Sequence, residues 1–352
     1  MSPAIAAAIE RCERPTLVFD RARIEANLRT IASAARSHGI TTLFAAKSFP
    51  HTDVRALAGE ILDGFDAGSA GEVAELPVSR VLSIADPSGR AIEAARTGGR
   101  LIVGCETVEH VAAVPAHAEI AIRINASITG RDPAVGAVLD GSGHRRSRFG
   151  IDATALRELV RAAAGRPVGI HVHHGPVTAT TGERFVGTAR SVLAAAAAIE
   201  LVPAFLNLGG AWHGISDLAG ALAEVRAAVP AGIELVIEPG RRVVEEAGFA
   251  CGRVVIAREL ADRPLRVIDL SRICHLRWSQ VELVGAAPHP GEGRGVLVVG
   301  PTCYEEDVIG EWTLAPGRLG AGERVVLRHV TGYAVAWNTS FGGVPAADVV
   351  MA

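Results

Sequence analysis

The chain has 352 residues, 49% of them hydrophobic, and a formal net charge of -3; it can bury one large or two medium cores and lacks the basic excess of nucleic-acid-binding proteins. Its five cysteines are scattered without a C-x-x-C pair, which favours a reducing compartment over a disulfide framework. No signal-peptide pattern opens the chain and no apolar run approaches the roughly 18 residues of a membrane span, so we expect a cytoplasmic protein that binds neither nucleic acid nor membrane.

Short apolar runs alternate with helical stretches through the first two thirds of the chain. Two of the helical stretches cover residues 21–39 and 184–200. The apolar runs lack polar alternation, which is typical of parallel strands buried on both faces. They lie at 16–19, 42–46, 81–85, 101–104, 120–125, 168–173, 205–210 and 234–240. About eight such strands predict an α/β fold with a closed (β/α)8 TIM barrel rather than an open doubly wound sheet.

The pattern changes after about residue 243. Strand-like runs such as RGVLVVG and ERVVLRHV are separated by Gly and Pro, with no helical stretch of comparable length between them. This texture predicts a second, all-β domain at the carboxyl end.

Lys47, in the stretch LFAAKSFP, is the only lysine; since Lys and Arg together number 35, the chain has 34 arginines. It follows a predicted strand, and functional side chains of a parallel barrel lie at the carboxyl ends of the strands. A lysine there is most often a solvated surface charge, and one lysine could also survive by drift. Its position alone does not decide between these interpretations.

Other polar residues and glycines follow the same predicted strands. They are Asp66, Ser69, Arg123, Asn125, His171, His173, Gly209, Gly210, Glu238 and Arg241. The two histidines alternate along a strand without a carboxylate at ligand spacing, so we predict no metal site. An amine, a flat ring, a glycine turn and a carboxylate together suit a phosphorylated aromatic aldehyde, pyridoxal phosphate.

These residues lie in motifs whose order resembles that of the fold-type III pyridoxal-phosphate decarboxylases, which include diaminopimelate, ornithine and carboxynorspermidine decarboxylases. The motifs span almost the whole chain: FAAKSFP, FDAGSAGEV, SRFGI (147–151), GIHVHHG, NLGGAW, IEPGRRVV, GPTCYEED (300–307) and TGYAVAWNTSFGG. The resemblance implies a cofactor-binding barrel at 23–243 and a C-terminal, β-barrel-like domain at 244–352 that an N-terminal strand within 1–22 joins. It also implies a homodimer with active sites at the subunit interface.

The resemblance assigns cofactor-binding roles to residues of the barrel. Lys47 would hold pyridoxal phosphate as a Schiff base, which requires a primary amine and which arginine cannot form. Glu238 would pair with the pyridinium nitrogen, and His173 would stack on the ring. The phosphate would be held by three glycines and an arginine, and two further polar residues complete the cofactor-binding set: Gly209, Gly210, Gly240 and Arg241, with Asp66 and Arg123.

The resemblance also assigns roles in the second domain. Cys303 would return a proton to Cα after carbon dioxide leaves; its alternative is a buried structural thiol. Tyr333 would add a hydroxyl for the phosphate from the partner subunit. Arg277, Tyr304 and Asp307 would bind the substrate.

Departures from the family pattern bear on the substrate. The expected serine after HHG is Pro176, and the third glycine of the turn is Ala211. Tyr304 stands where diaminopimelate decarboxylases have glutamate and the ornithine type has aspartate. In that family these acids bind the distal ammonium group of the substrate. A simple diamino acid is therefore in doubt. The changes resemble decarboxylases that act on citrate-conjugated amino acids in siderophore assembly. The acids at 305–307 could still bind a cation or form a solvated loop.

We therefore predict pyridoxal-phosphate-dependent decarboxylation of an L-amino acid or an amino-acid conjugate. One alternative is an amino-acid racemase of the same fold, although racemases of this fold place an arginine rather than a carboxylate such as Glu238 at the ring nitrogen. The other is a non-catalytic pyridoxal-phosphate-binding protein, a group that lacks the β domain and the cysteine motif.

Overall fold

The computed structural model describes residues 1–125, 138–139, 145–146, 149–173, 182–261, 263–288, 295–314 and 318–352. Pro176 and the first two residues of the SRFGI motif lie outside this part of the chain. The described chain divides into two compact units. One comprises Leu28–Lys47 and Thr52–Val243, and the other comprises Met1–Asn27, Ser48–His51 and Val244–Ala352.

Strands and helices alternate through the first of these units, and strands predominate in the second. The strands are β1 (Thr16–Phe19), β2 (Ile40–Ala45), β3 (Gly64–Ala67), β4 (Val81–Ile84), β5 (Arg100–Cys105), β6 (Glu119–Ile124), β7 (Val138–Leu139), β8 (Arg145–Arg146), β9 (Val168–Val172), β10 (Phe205–Asn207), β11 (Glu234–Ile237), β12 (Gly248–Glu259), β13 (Pro264–Ile268), β14 (Glu282–Leu283), β15 (Ala287–Pro288), β16 (Val296–Val299), β17 (Val308–Thr313), β18 (Arg324–Arg328) and β19 (Asp348–Met351). The helices are α1 (Pro3–Glu10), α2 (Arg21–Arg36), α3 (Thr52–Ile61), α4 (Ala70–Ala74), α5 (Ala91–Ala94), α6 (Val108–Ala113), α7 (Leu156–Ala162), α8 (Glu183–Ala197), α9 (Leu218–Ala228) and α10 (Tyr333–Ala336).

Eight parallel strands close into a barrel in the order β10-β11-β2-β3-β4-β5-β6-β9. The predicted TIM barrel is confirmed, but the apolar run at 16–19, counted among its eight strands, is not one of them. The run at 16–19 forms β1, which pairs with β12 and β19 in the other unit. Its place in the barrel is taken by β3 (GFDA), which is too short and too polar, with its buried Asp66, to resemble an apolar run.

A layer of apolar side chains fills the barrel interior, contributed by Leu43, Ile102, Ala121, Phe205 and Val236. Gly169 provides room for the large ring in this layer, since a Cβ atom there would lie 2.2 Å from Cζ of Phe205. Small and large residues thus complement each other across neighbouring strands, as close packing requires.

An ion network closes the amino-terminal end of the barrel below this layer. Arg100 donates two hydrogen bonds of 2.7 Å to Glu119 and one of 2.7 Å to Glu234. Glu234 also accepts a 2.7 Å hydrogen bond from Thr41. The Arg100 guanidinium carbon lies 5.1 Å from the centre of the Phe205 ring. Charges at this end of a TIM barrel serve stability, because the chemistry lies at the opposite end.

The second unit is built on a nine-stranded sheet with the order β14-β18-β12-β13-β16-β17-β15, to which β1 and β19 attach through β12. The expected sheet-rich second domain, with the N-terminal strand in it, is confirmed. Helix α1 packs Ile5, Ala8 and Ile9 against Val18 and Phe249. No helix in the described ranges is long and apolar enough to cross a bilayer.

Candidate active site

Lys47 lies at the carboxyl end of β2, in the short 3-10 helix Ala46–Ser48. Its Nζ atom is 3.3 Å from Oδ2 of Asp66, on the neighbouring strand β3. The hydroxyl of Ser83, on β4, donates a 3.2 Å hydrogen bond to the other oxygen of Asp66. The lysine side chain is 43% exposed while that of Asp66 is fully buried, so a small molecule can reach the amine while the carboxylate stays in place.

Glu238 follows β11 and is buried beside Asp66. Its Oε1 accepts a 2.6 Å hydrogen bond from Nδ2 of Asn207, the last residue of β10. Burial is the main cause that raises the pKa of Asp66, and the negative charge of Glu238 adds to it, while Lys47 and His171 act in the opposite direction. Two carboxylates thus face one site, and the raised pKa of Asp66 makes it a better proton acceptor than an ordinary aspartate.

His171, on β9, is buried close to Glu238. Burial, and next the positive charge of Arg123, lower its pKa to about 3. Its Nε2 atom is 3.7 Å from Glu238 and is a buried polar atom without a hydrogen-bond partner within the described residues. Such an atom has a large desolvation cost unless a bound group completes its bonding.

Arg123, on β6, lies opposite His171 in the register of the neighbouring strands β6 and β9. Its guanidinium lies 3.5 Å from Glu106 and 4.5 Å from the centre of the Phe149 ring. Arg123 is 9% exposed, and its positive charge lowers the pKa of His171.

The glycine turn after β10 is folded tightly against His173. Gly209 has a left-handed φ of 64°, and a Cβ atom there would lie 2.6 Å from Nδ1 of His173. The Gly210 amide donates a 3.1 Å hydrogen bond to that same atom, and the Gly209 amide donates a 2.9 Å bond to Asn207. The glycines therefore let the imidazole approach the backbone, and both amides are bonded to side chains.

Arg241 begins the 3-10 helix Arg241–Val244 directly after Gly240. Its guanidinium Nη1 lies 3.5 Å from Nε2 of His213, at the end of the glycine turn. Burial first, and then Arg241 and Arg242, lower the pKa of His213 to about 4. The turn thus carries a concentrated positive potential suited to an anion.

The sequence-predicted residues of the second unit lie on its loops, except for Tyr333, which begins helix α10. Arg277 and Cys303 are exposed, and the Arg277 guanidinium lies 4.6 Å from the centre of the Trp337 ring. Tyr333 packs edge-on against Trp278, with ring centres 5.0 Å apart. Tyr304 is 51% exposed.

Asp307 differs from these residues because it is buried, with 2% of its surface exposed. Its carboxylate accepts hydrogen bonds from the Ser271 hydroxyl at 3.0 Å, the Arg272 amide at 2.6 Å and the Thr302 hydroxyl at 2.7 Å. A Cβ atom on Gly300 would lie 2.2 Å from the same carboxylate. These contacts favour a structural role for Asp307, which joins the loop at 271–272 to the loop at 300–307, over the substrate-binding role expected from the sequence.

Three residues of the site were not singled out by sequence reasoning. Asn207 orients Glu238, Ser83 orients Asp66, and His213 contacts Arg241. Asn207 and Ser83 lie inside or at the end of barrel strands among apolar neighbours, which is the signal that could have found them. His213 follows a glycine turn with no distinguishing pattern.

The barrel residues fit pyridoxal phosphate. Lys47 offers an accessible amine, His171 a buried nitrogen that lacks a partner among the described groups, and Arg241 a cation beside a glycine turn. Glu238 supplies a buried carboxylate of the kind that pairs with a ring nitrogen. Fold and site together define a barrel enzyme of the pyridoxal-phosphate-dependent class.

Comparison with known proteins agrees with this class. The family described as "Pyridoxal-dependent decarboxylase, pyridoxal binding domain" matches residues 21–245. A diaminopimelate decarboxylase from Pseudomonas fluorescens is 24% identical over 96% of this chain and 87% of its own length. The arginine decarboxylase of Paramecium bursaria Chlorella virus, bound to agmatine, has a similar fold, with a TM-score of 0.79, 18% identity and full coverage of both chains. Diaminopimelate decarboxylase from Helicobacter pylori, complexed with L-lysine, gives a TM-score of 0.77 at 18% identity, covering 99% of this chain and 94% of that one.

The chain belongs to the pyridoxal-dependent decarboxylase family. It is a pyridoxal-phosphate-dependent decarboxylase of the diaminopimelate and ornithine type. The predicted family, fold, enzyme class and cofactor are thereby confirmed.

Proposed function

We propose that this protein decarboxylates an L-amino acid or an amino-acid conjugate, with Lys47 Nζ as the atom that bonds to the aldehyde carbon of pyridoxal phosphate. The observation that carries the proposal is the position of the chain's only lysine, 3.3 Å from a buried carboxylate at the carboxyl ends of the barrel strands. When bound, the cofactor supplies an electron sink for the electrons released as the bond from Cα to the carboxyl carbon breaks.

Asp66 would accept the proton that the Lys47 ammonium group loses. An ammonium group must lose a proton before its nitrogen can act as a nucleophile. Oδ2 of Asp66 is an acceptor in contact with Nζ, and burial together with the Glu238 charge raises the pKa of this carboxyl group. The Ser83 hydroxyl bond fixes the other oxygen, so that Oδ2 stays directed at the amine.

Glu238 would hold a proton on the ring nitrogen of the cofactor. The Asn207 amide uses one Glu238 oxygen, which orients the carboxylate and leaves the second oxygen for the ring. A protonated ring accepts electrons more strongly, which favours decarboxylation over racemisation. His173 would stack on the ring, in an orientation supported by its hydrogen bond from the Gly210 amide.

The phosphate group would be bound by two segments of the barrel. One is the turn with Gly209 and Gly210 after β10, and the other is Gly240–Arg241 after β11. Arg241 would supply charge-assisted hydrogen bonds. The amides of the two glycines are already bonded to Asn207 and His173. The two glycines would therefore contribute space, since the absence of side chains lets the phosphate approach the backbone.

We also propose a homodimer in which Cys303 and Tyr333 of one subunit serve the barrel site of the other. Cys303 is an exposed thiol in the second unit, and an exposed donor can reach a site in another copy. It would deliver the proton to Cα after carbon dioxide leaves.

The substrate would carry a carboxylate-rich distal group rather than a simple ammonium. Tyr304 is an exposed aromatic residue without a negative charge, and Arg277 is an exposed cation supported by Trp337. A guanidinium recognises carboxylates with paired hydrogen bonds. Citrate-conjugated amino acids, the class suggested by the sequence, have that chemistry.

One experiment tests the reaction and the attachment residue together. Protein supplied with pyridoxal phosphate is reduced with borohydride and digested, and the cofactor mass is sought on Lys47; Lys47→Arg is the matched control that keeps the charge. Carbon dioxide is then measured with diaminopimelate, ornithine, arginine and citryl-amino acid conjugates. We expect modification of Lys47 and carbon dioxide release, greatest with a conjugate. Attachment without carbon dioxide from any substrate, or loss of optical activity instead, would refute the decarboxylase proposal.

A further inference from the structure

One phosphate donor of the family pattern is missing from this chain. The serine expected near the turn is Pro176 in the sequence, which has no hydroxyl group. The amides of Gly209 and Gly210 already donate to Asn207 and His173, at 2.9 and 3.1 Å. A further donor at the turn, beside Arg241, would offset that loss.

His213 lies beside the arginine expected to bind that phosphate. Its Nε2 atom is 3.5 Å from Nη1 of Arg241, and its side chain is half-buried. When Arg241 donates to Nε2, the ring hydrogen lies on Nδ1 and can donate to an anion. A phosphate that draws the guanidinium away from Nε2 allows the ring to take up a proton and donate from that atom instead.

The segment that carries His213 is held in place before any ligand arrives. The Trp212 ring stacks on Phe185 with ring centres 3.7 Å apart, and its indole nitrogen donates a 2.8 Å hydrogen bond to the Gly209 carbonyl. Arg242 donates to the carbonyl oxygens of Trp212 and Ile215, one on each side of His213. A donor fixed in this way binds an anion without a large ordering cost.

The electrostatics of the turn are those of an anion site. Burial first, and then the charges of Arg241 and Arg242, lower the pKa of His213 to about 4, so the two guanidinium groups add a positive potential at this histidine. The same potential attracts a dianion, and the dianion in turn favours a protonated imidazole.

From this geometry we propose that His213 binds the phosphate group of pyridoxal phosphate together with Arg241, as the replacement for the missing serine hydroxyl. This inference rests on the proposed attachment of the cofactor at Lys47. It adds a residue that the family motifs do not assign.

The test compares pyridoxal phosphate with pyridoxal, which has the same aldehyde and ring but no phosphate. Cofactor-free protein is titrated with each compound, and binding is followed by the change in visible absorbance. The variants are His213→Leu, His213→Gln and His213→Arg, and the matched control is His117→Gln, an exposed histidine of the same unit. Thermal unfolding of each cofactor-free variant reports whether it folds.

We expect His213→Leu to weaken binding of pyridoxal phosphate by about tenfold to a hundredfold, the effect of one hydrogen bond to a charged group, with binding of pyridoxal unchanged. His213→Arg should retain the affinity for pyridoxal phosphate, and the control should behave as the wild type. If His213→Leu does not fold, the same comparison is made with His213→Gln, which should show a smaller loss confined to pyridoxal phosphate.

Equal loss for both compounds, or no loss for either, would overturn the role of His213. Failure of the underlying function has a different result: the wild-type protein itself would show no absorbance change with either compound. The two failures are therefore distinguishable.

Discussion

Nζ of Lys47 lies 3.3 Å from Oδ2 of Asp66, which joins the only lysine of the chain to a carboxylate whose side chain is fully buried. A buried carboxylate favours its protonated form unless a cation lies beside it. The pair therefore couples the protonation of the amine to that of its neighbour, which is the property that a lysine needs when it must alternately bond to and leave an aldehyde.

Asp66→Asn should slow the covalent attachment of pyridoxal phosphate, because the amide cannot accept the proton of Lys47. We expect a decrease in the attachment rate of about a hundredfold, the usual contribution of a positioned base, measured by stopped-flow absorbance. Ser83→Ala is the matched control, which removes only the orienting hydroxyl and should have a much smaller effect. An unchanged rate in Asp66→Asn would show that water accepts the proton.

Glu238→Gln should lower kcat for carbon dioxide release by about a hundredfold or more, because a neutral amide no longer holds a proton on the ring nitrogen. Cofactor attachment, followed by absorbance, should persist. Asn207→Ala, which removes the 2.6 Å bond to Glu238, should cause a smaller loss. Normal turnover in Glu238→Gln would contradict the role of this carboxylate.

The stability of the cofactor-free protein should fall as the pH is lowered through the range between about 6.5 and 3, partly because of His171. The folded pKa of His171 is about 3, below the ordinary value of 6.5, so within this range the unfolded chain binds the extra proton and acid favours unfolding. One such group contributes a slope of at most about 1.4 kcal/mol per pH unit. Urea denaturation at several pH values should give a shallower slope for His171→Gln; an identical slope would mean that His171 titrates normally.

Asp307→Ala should lower the free energy of unfolding by about 2 to 4 kcal/mol, because the buried donors of Ser271, Arg272 and Thr302 lose their acceptor. The alkylation rate of Cys303, in the same loop, should change as well. Glu306→Ala, an exposed acid in that loop, is the matched control and should alter neither quantity. A rise in KM with unchanged stability would instead support direct substrate binding by Asp307.

Arg100→Met should destabilise the barrel by about 2 kcal/mol, because Glu119 and Glu234 lose their shared cation at a partly buried site. The affinity for pyridoxal phosphate should not change, since the network lies at the end of the barrel opposite Lys47. Arg96→Met removes an exposed arginine and controls for the loss of charge. A matching loss of cofactor affinity in Arg100→Met would contradict this separation.

Much of the fold could be predicted because buried parallel strands are continuous apolar runs. The runs at 81–85, 101–104 and 168–173 correspond to β4, β5 and β9. The strand β3 was missed because its four residues include a buried aspartate, and only the pairing of β3 between β2 and β4 makes it a strand. The run at 16–19 was counted with the barrel strands because of its apolar character, which cannot tell one sheet from another, whereas the family resemblance placed an N-terminal strand in the second domain, where β1 lies.

The sequence alone predicted the chemistry, from a single primary amine, which no arginine can replace, in motifs that resemble those of a decarboxylase family. Tertiary structure alone decided which groups meet. The neighbours of Lys47 and Glu238, namely Asp66 and Asn207, are 19 and 31 residues away in the chain, and the burial of Asp307 depends on loops separated by as many as 36 residues. Composition and spacing determine what a side chain can do, whereas its distance, burial and proton affinity arise only when strands remote in sequence are brought side by side.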